Sequence, residues 1–451
     1  MIESLIPTAA TAAAAVASRG AMAARGGGHG FKHAARDNGV DAALAVLAIA
    51  PQIFNLLVPS PLVERFVPMK LSLLYRLHKA RPYIEGASAL ALAGLTLRQR
   101  MRDSQGKALG VAVTATTVTK FLSQVLTPPI AFTPHEGHLV VTAKELNRLL
   151  EPDSPVLGMF LNGEARCYPL DIMRKPHLIH DTVGGVPVVP TYCEFTRSAL
   201  AFRDDWRGER LDLQVVAFPN NNVVFYESRS DGMIQQLQAT IGAGPNTGDP
   251  LQVFPLMTTT WRAWQELHPD TTGLWYEQNA KAGALQYVME ATERLDERTD
   301  KPLYAVAGGT DGRLKAKDTV LAVRVKGRAK AYTRAYLEAH PVINDEIAGE
   351  PIAVFYDAQR DVAAAYSRRI DDKVLEFQPA EHGKAVAEDL TDGLLWDVAG
   401  CSRIGRKEER CLKPVPFSLD GIRWFAWAHF YPDTAIAGAR MAAAEAARRA
   451  T

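Results

Sequence analysis

The sequence predicts an α+β protein: two tandem β-rich repeats with short helices, preceded by a helical N-terminal region. Three observations carry this. The chain repeats itself at a spacing of 164 residues, each repeat reads as hairpins and alternating strands, and the first 134 residues have a different composition. In 451 residues there are 51 Lys and Arg against 50 Asp and Glu, a formal net charge of +1. Residues 1–110 hold 13 basic and 6 acidic side chains, so the near-neutral total hides a basic end and an acidic body. At 47% hydrophobic and 22% charged, the chain can bury a large core. A dedicated nucleic-acid binder would be basic over a whole domain, so that class is set aside. Four cysteines are too few for a disulfide scaffold of this size.

The N-terminal region, residues 1–134, opens with an Ala-rich stretch that reads as a mobile tail over residues 1–35, broken by Gly26-Gly27-Gly28. No basic segment precedes that stretch, which argues against a cleavable signal peptide. Ala42 to Val63 carries no charge and is long enough to span a bilayer, but Pro51, Gln52, Asn55, Pro59 and Pro61 interrupt it. Arg and Lys flank it on both sides, and uncharged runs follow at Gly86–Leu97 and Phe121–Pro134. Two readings stand side by side: a membrane-associated helical region with its basic residues near anionic lipid, and a soluble helical domain. The first places the protein at a membrane or outside the cytoplasm; the second leaves a soluble cytoplasmic protein open.

The repeats occupy residues 135–276 and 313–437, with a helical linker over 277–312 and an Ala/Arg-rich tail over 438–451. Val156–Leu170 aligns with Val320–Arg334, and His180–Phe202 with Asn344–Tyr366, in each case without a gap. Identities include Gly163/Gly327, Tyr168/Tyr332, Asp181/Asp345, Pro187/Pro351 and Tyr192/Tyr356. Small insertions follow, and then Trp261-Arg-Ala-Trp264 with Pro269-Asp270-Thr271 matches Trp424-Phe-Ala-Trp427 with Pro432-Asp433-Thr434. Matches in this order imply a tandem duplication.

Within each repeat the elements follow from local chemistry. Asn162-Gly163 and Lys326-Gly327 supply the positive φ angles of tight hairpin turns. Leu170–Lys175 and Arg334–Ala339 read as short helices. Val186–Tyr192 is a buried strand after the Gly184-Gly185 turn; Ser198–Arg203 and Leu211–Phe218 are further strands. Trp261–Leu267 and Trp424–Phe430 read as helices with paired tryptophans on one face, serving as core anchors. Gly242–Gly248 and Asn220-Asn221-Asn222 read as turns. Glu277–Arg298 has helical composition, and Ala435–Ala450 is expected to be an exposed helix.

The order of motifs resembles the domain-of-unknown-function-3179 family. The residues that carry this are Tyr168-Pro169, His180-Asp181-Thr182-Val183-Gly184-Gly185, Thr191-Tyr192-Cys193-Glu194-Phe195-Thr196-Arg197-Ser198 and the closing His268-Pro269-Asp270-Thr271. The second repeat keeps His340 and Asn344-Asp345. The likeness covers roughly residues 138–276 and, more loosely, 313–436. It implies a secreted or membrane-anchored protein. It also implies redox chemistry, since similar proteins carry selenocysteine in the segment matching Cys193–Thr196. There are departures. Glu194-Phe195 stands for the family's Pro-Leu, Arg197 for its Gly, and His180 for its Asn, while the family's His falls on Pro176 beside His177. Asp357 occupies the Cys193 position of the second repeat, which therefore lacks the thiol.

The expected catalytic set is Cys193, Thr196, Arg197, His180 and Asp181. A Cys-x-x-Thr turn sets a hydroxyl near a thiol, a cation such as Arg197 can lower its pKa, and His180 can act as base. Asp181 and Asp345 recur in both repeats beside a turn, which also suits a structural role. Cys167 is a candidate resolving thiol or a structural cysteine, and Cys401 and Cys411 can pair in an oxidising compartment. His177, His180 and Cys193 form a candidate transition-metal set for copper, zinc or iron, with His135 and His138 as further donors. The function expected from these residues is a thiol-based redox protein with an unknown substrate or redox partner; the alternative is a non-catalytic membrane-tethered binding module, and the third reading a metalloprotein.

Overall fold

The computed structural model describes residues 29–57, 69–102, 107–126, 138–276, 294–380, 385–402 and 410–439. His135, the start of the Ala-rich tail, most of the linker (277–293) and residues 440–451 lie outside them. The chain divides into two units, residues 1–63 with 72–131, and residues 64–71 with 132–451.

The first unit contains three long helices, α1 (His29–Leu57), α2 (Leu71–Arg102) and α3 (Lys107–Leu126). Helices α1 and α3 pack against each other. Among the described residues, no helix is long and apolar enough to cross a membrane.

The second unit is β-rich. Strand β1 (Leu139–Thr142) leads into helix α4 (Ala143–Leu149), which begins with a capping box: the Thr142 hydroxyl accepts from the Glu145 amide while the Glu145 carboxylate accepts from the Thr142 amide. The hairpin of β2 (Pro155–Leu161) and β3 (Glu164–Pro169) turns at Asn162-Gly163, both with positive φ. Helix α5 is only Leu170–Met173, shorter than the composition suggested. Then come β4 (Asp181–Val183), β5 (Val186–Cys193) and β6 (Ser198–Arg203). A meander follows: β7 (Leu213–Ala217), β8 (Val224–Glu227), β9 (Gly232–Gln235) and β10 (Thr240–Ala243). The first half closes with β11 (Val253–Pro255), β12 (Met257–Thr260), α6 (Trp261–Leu267) and β13 (Thr272–Trp275).

The second half runs through β14 (Thr319–Val325), β15 (Arg328–Thr333), α7 (Arg334–Ala339), β16 (Val342–Ile347), β17 (Glu350–Asp357) and β18 (Val362–Ser367). It ends with β19 (Phe417–Arg423), α8 (Trp424–Phe430) and β20 (Ala435–Ile436). Apart from β1, which has no partner strand in the second half among the described residues, the strand order of the main sheet recurs. The sheet β1-β13-β3-β2-β12 has its counterpart in β20-β15-β14-β19, and in each the strand after the tryptophan helix joins parallel to the hairpin. Tyr168 pairs with Leu157, and Tyr332 with Leu321, in equivalent register. Among the described residues, the second half has smaller two- and three-stranded sheets where the first has the four-stranded meander β7–β10.

One expectation is corrected here. Ala435–Ile436 is a strand rather than the start of a helix, because it pairs with Lys330 and Ala331 and its residues are held by sheet hydrogen bonds. Of the expected linker helix, residues 277–293 lie outside the described residues and residues 294–297 are helical.

The tryptophan helices explain their own motif. Trp264 and Trp427 are fully buried, and each indole Nε1 donates to a threonine hydroxyl, Thr271 and Thr434, at 2.9 Å. The closing Pro-Asp-Thr thus satisfies a buried donor that would otherwise cost stability. Trp264 also needs a bare backbone opposite it: a Cβ on Gly158 would sit 2.2 Å from its ring. One hydrophobic core runs through both halves, taking in Cys193, Phe202, Phe225 and Ile234 of the first and Val320, Leu419, Trp424 and Trp427 of the second.

Candidate functional site

Cys193 is the last residue of β5, and its neighbours are set by the turn into β6. The turn closes with a backbone bond from the Arg197 amide to the Glu194 carbonyl, and Arg197 takes a positive φ. Cys193 is 0% exposed, and its Sγ donates to the Asn221 carbonyl at 3.3 Å. Burial pushes the thiol up to about 12, with the Glu194 carboxyl adding to the rise. Hydrogen bonds involving Thr196 and Val223 pull the other way without reversing it.

The corner is polar inside. Thr196 Oγ1 and Ser198 Oγ lie 2.7 Å apart, and the Ser198 hydroxyl donates to Gln236 Oε1 at 2.6 Å. Gln236 Nε2 donates to Thr191 Oγ1, which itself donates to the Leu200 carbonyl. Asn222 donates to Gln236 Oε1 at 2.8 Å and receives bonds from Gln235 Nε2 and the Leu237 amide. Asn221 is matched to the backbone of Tyr304, donating to its carbonyl and accepting from its amide. Thr191, Thr196, Ser198, Asn221, Asn222 and Gln236 are all fully buried. A network this complete rigidifies the turn, since each lost partner would strand a buried polar group. The sequence reading missed its asparagines and glutamines. The three consecutive asparagines were the available signal: Asn220 and Asn221 both adopt positive φ, which this residue type tolerates.

The second half closes the corner from outside. The Arg423 amide donates to the Thr196 carbonyl at 3.0 Å, and its guanidinium reaches the Phe195 carbonyl and the Asp296 carboxylate. Lys317 Nζ also pairs with Asp296, at 2.9 Å. At the position of Cys193, the second half carries Asp357, also buried, which accepts from the Gln359 and Arg360 amides of its own turn.

The remaining expected site residues lie elsewhere. Arg197 turns to an exposed pair with Glu297 at 3.1 Å, so it does not supply the thiol with a cation. His180 Nδ1 contacts Asp204 at 2.8 Å, and Arg210 shares that carboxylate. Asp181 accepts from the Tyr168 hydroxyl at 2.9 Å and pairs with Arg166 at 3.1 Å. Asp345 makes the equivalent contacts with Tyr332 and Lys330, both at 2.6 Å, which gives the aspartate a structural task in both halves. Cys167 packs with Trp261 and Trp264 in a different core cluster from Cys193. Cys401 and Cys411 form a disulfide across a two-stranded ladder.

The metal set does not assemble. His177 Nδ1 donates to the Tyr192 carbonyl at 2.9 Å, His180 is engaged with Asp204, and Cys193 with Asn221. Among the described residues, no group of three or more His, Cys, Asp or Glu converges on a point. His138 is partly exposed just before β1.

His177 and Glu194 are the titratable pair beside the corner, 3.3 Å apart and both buried. Burial lowers His177 from 6.5 to about 4, opposed by its bond to Tyr192. Burial raises Glu194 from 4.5 to about 7, opposed by its own backbone and by Arg174. Desolvation therefore wins over mutual attraction, and the pair is mostly neutral in mildly acidic solution. The two groups act on stability with opposite sign. The Glu194 contribution is present at low pH and lost as pH rises through 7. The His177 contribution is present above 6.5 and lost as pH falls through 4. Glu194→Gln should therefore remove the alkaline loss. Between about pH 6 and pH 8 the wild-type melting temperature is expected to fall while that of the variant changes less. Equal slopes in the two proteins would refute the assignment.

No curated protein and no solved structure matches the chain. A family model described as a protein of unknown function, DUF3179, matches residues 135–434, both halves together. The hairpins, the paired Tyr–Asp contacts, the polar Cys193 corner and the tryptophan helices all fall within that span, and the chain belongs to the DUF3179 family.

Proposed function

We propose that the β-rich unit is a non-catalytic binding module built for an oxidising compartment, with the Cys193 corner as its buried structural node. The observation that carries this is the burial of Cys193 under a corner closed by both halves. A working thiol needs access and a thiolate, and here the sulfur has no exposure and a raised pKa. The Cys401–Cys411 disulfide supports the choice of compartment.

A cavity between the halves supplies a place for contact. It holds about 90 Å³ and is lined by Met257, Trp264, Leu321, Tyr366 and the disulfide, with Ser418 and Asp420 as polar members. Ligand pockets for cofactor-sized molecules run from about 300 Å³ upward. The space therefore suits a small apolar group of a partner rather than a cofactor.

The second reading is thiol redox chemistry after the corner opens. It is favoured by the Thr196 and Val223 hydrogen bonds, which would stabilise a thiolate once water reached it. Labelling separates the two. In a Cys167→Ser background, Cys193 should react with an aromatic disulfide reagent no faster than the protein unfolds. Rapid labelling of the native chain, increasing with pH, would overturn the binding-module reading and restore the redox one.

A further inference from the structure

The helical unit is built inside out. A bundle in water hides an apolar stripe and shows polar residues. Here Asp41, Gln52, Ser88, Gln99 and Thr119 are buried. Their buried apolar companions are mostly small, Ala48, Ala91 and Ala112, with Leu74 and Leu95. The Ser88 hydroxyl donates to the Ala48 carbonyl, and Arg98 Nε pairs with Asp41 at 2.9 Å. Outside, α2 carries Tyr83, Leu90, Leu97 and Met101, each between 63% and 80% exposed. Tyr83, Leu90 and Leu97 are seven residues apart, so they form one stripe along the helix. Leu47 on α1 and Val111 on α3 are also more than half exposed. Small residues and polar pairs inside, with large apolar side chains outside, is the arrangement of helices that face lipid.

Charge chooses the occupant of that face. Arg76 and Arg100 are exposed at the two ends of the stripe, and the stretch between Gly86 and Leu97 has no charge. The acidic Glu85 is already paired with Arg81 at 3.1 Å. A second copy of this helix would set basic ends against basic ends in one orientation or the other. An anionic bilayer surface instead offers phosphates to the ends and acyl chains to the middle. We infer that the helical unit docks on an anionic lipid surface through α2, with Leu90 and Leu97 among the acyl chains and Arg76 and Arg100 at the headgroups.

Flotation of the full chain with vesicles tests this. The wild type should float with vesicles of phosphatidylcholine mixed with phosphatidylglycerol. The Leu90→Glu/Leu97→Glu variant should lose about tenfold or more in bound fraction. The Arg76→Gln/Arg100→Gln variant should lose about tenfold on the mixed vesicles and little on pure phosphatidylcholine. Unchanged near-ultraviolet circular dichroism would show that the β-rich unit still folds in each. The inference is overturned if the wild type stays at the bottom, or if the glutamate variant floats equally well. It is also overturned if the wild type is a vesicle-free dimer that the glutamate substitutions dissociate, which would assign the stripe to a second copy.

Discussion

Replacing Arg423 by alanine is expected to lower the stability of the β-rich unit by about 3–5 kcal/mol, the cost of stranding a buried charge. Arg423 and Asp296 are 5% and 4% exposed at their side chains, so neither recovers solvation when the other is removed. Lys317 stays on Asp296, which places the loss toward the lower end of that range. The same substitution frees the Phe195 carbonyl from its guanidinium partner. Removing both charges together, with Arg423→Met and Asp296→Asn, should cost less than the sum of the single changes. Denaturant titration of the four proteins measures the coupling. A loss below about 1 kcal/mol for Arg423→Ala would mean that the pair behaves as a solvated one, and that the second half does not hold the corner.

The second large effect concerns the shared core. Trp427→Ala should cost about 3–5 kcal/mol, through lost burial and an unfilled space. The ring lies 4.5 Å from Tyr431 and 6.1 Å from Phe417 between centroids, and its Nε1 bond to Thr434 is lost as well. Because one cluster joins residues of both halves, the damage should not stay in the second. Fluorescence and far-ultraviolet circular dichroism should report one coincident transition at a lower midpoint. Two separated transitions, with the first half unaffected, would show that the halves are energetically independent.

Local chemistry made much of this fold legible. Asn162-Gly163 marks a hairpin because its turn demands positive φ, and Trp261–Leu267 and Trp424–Phe430 are helices at the residues where tryptophan spacing placed them. What pairs with Cys193 was not legible. Its hydrogen-bond acceptor is Asn221, 28 residues on, and the side chain that clasps its turn is Arg423, 228 residues from Phe195. Only the tertiary fold brings these together, and sequence spacing carries no trace of it. Spacing also misled for His177 and His180. Tyr192 and Asp204 claim them separately. Thr196 does lie beside the thiol, as its spacing suggested, whereas the positive φ of Arg197 turns its side chain outward to Glu297.

The clasp between Phe195 and Arg423 also sets a schedule for synthesis. Ribosomes add about 5–20 residues per second. The interval between the two residues then corresponds to roughly ten to fifty seconds of translation. Through that time the nascent first half carries an unfinished core, with Phe202, Phe225 and Ile234 awaiting Trp424 and Trp427. The half-made protein therefore leaves that apolar surface unfinished while it is still being translated, the interval in which aggregation competes with folding.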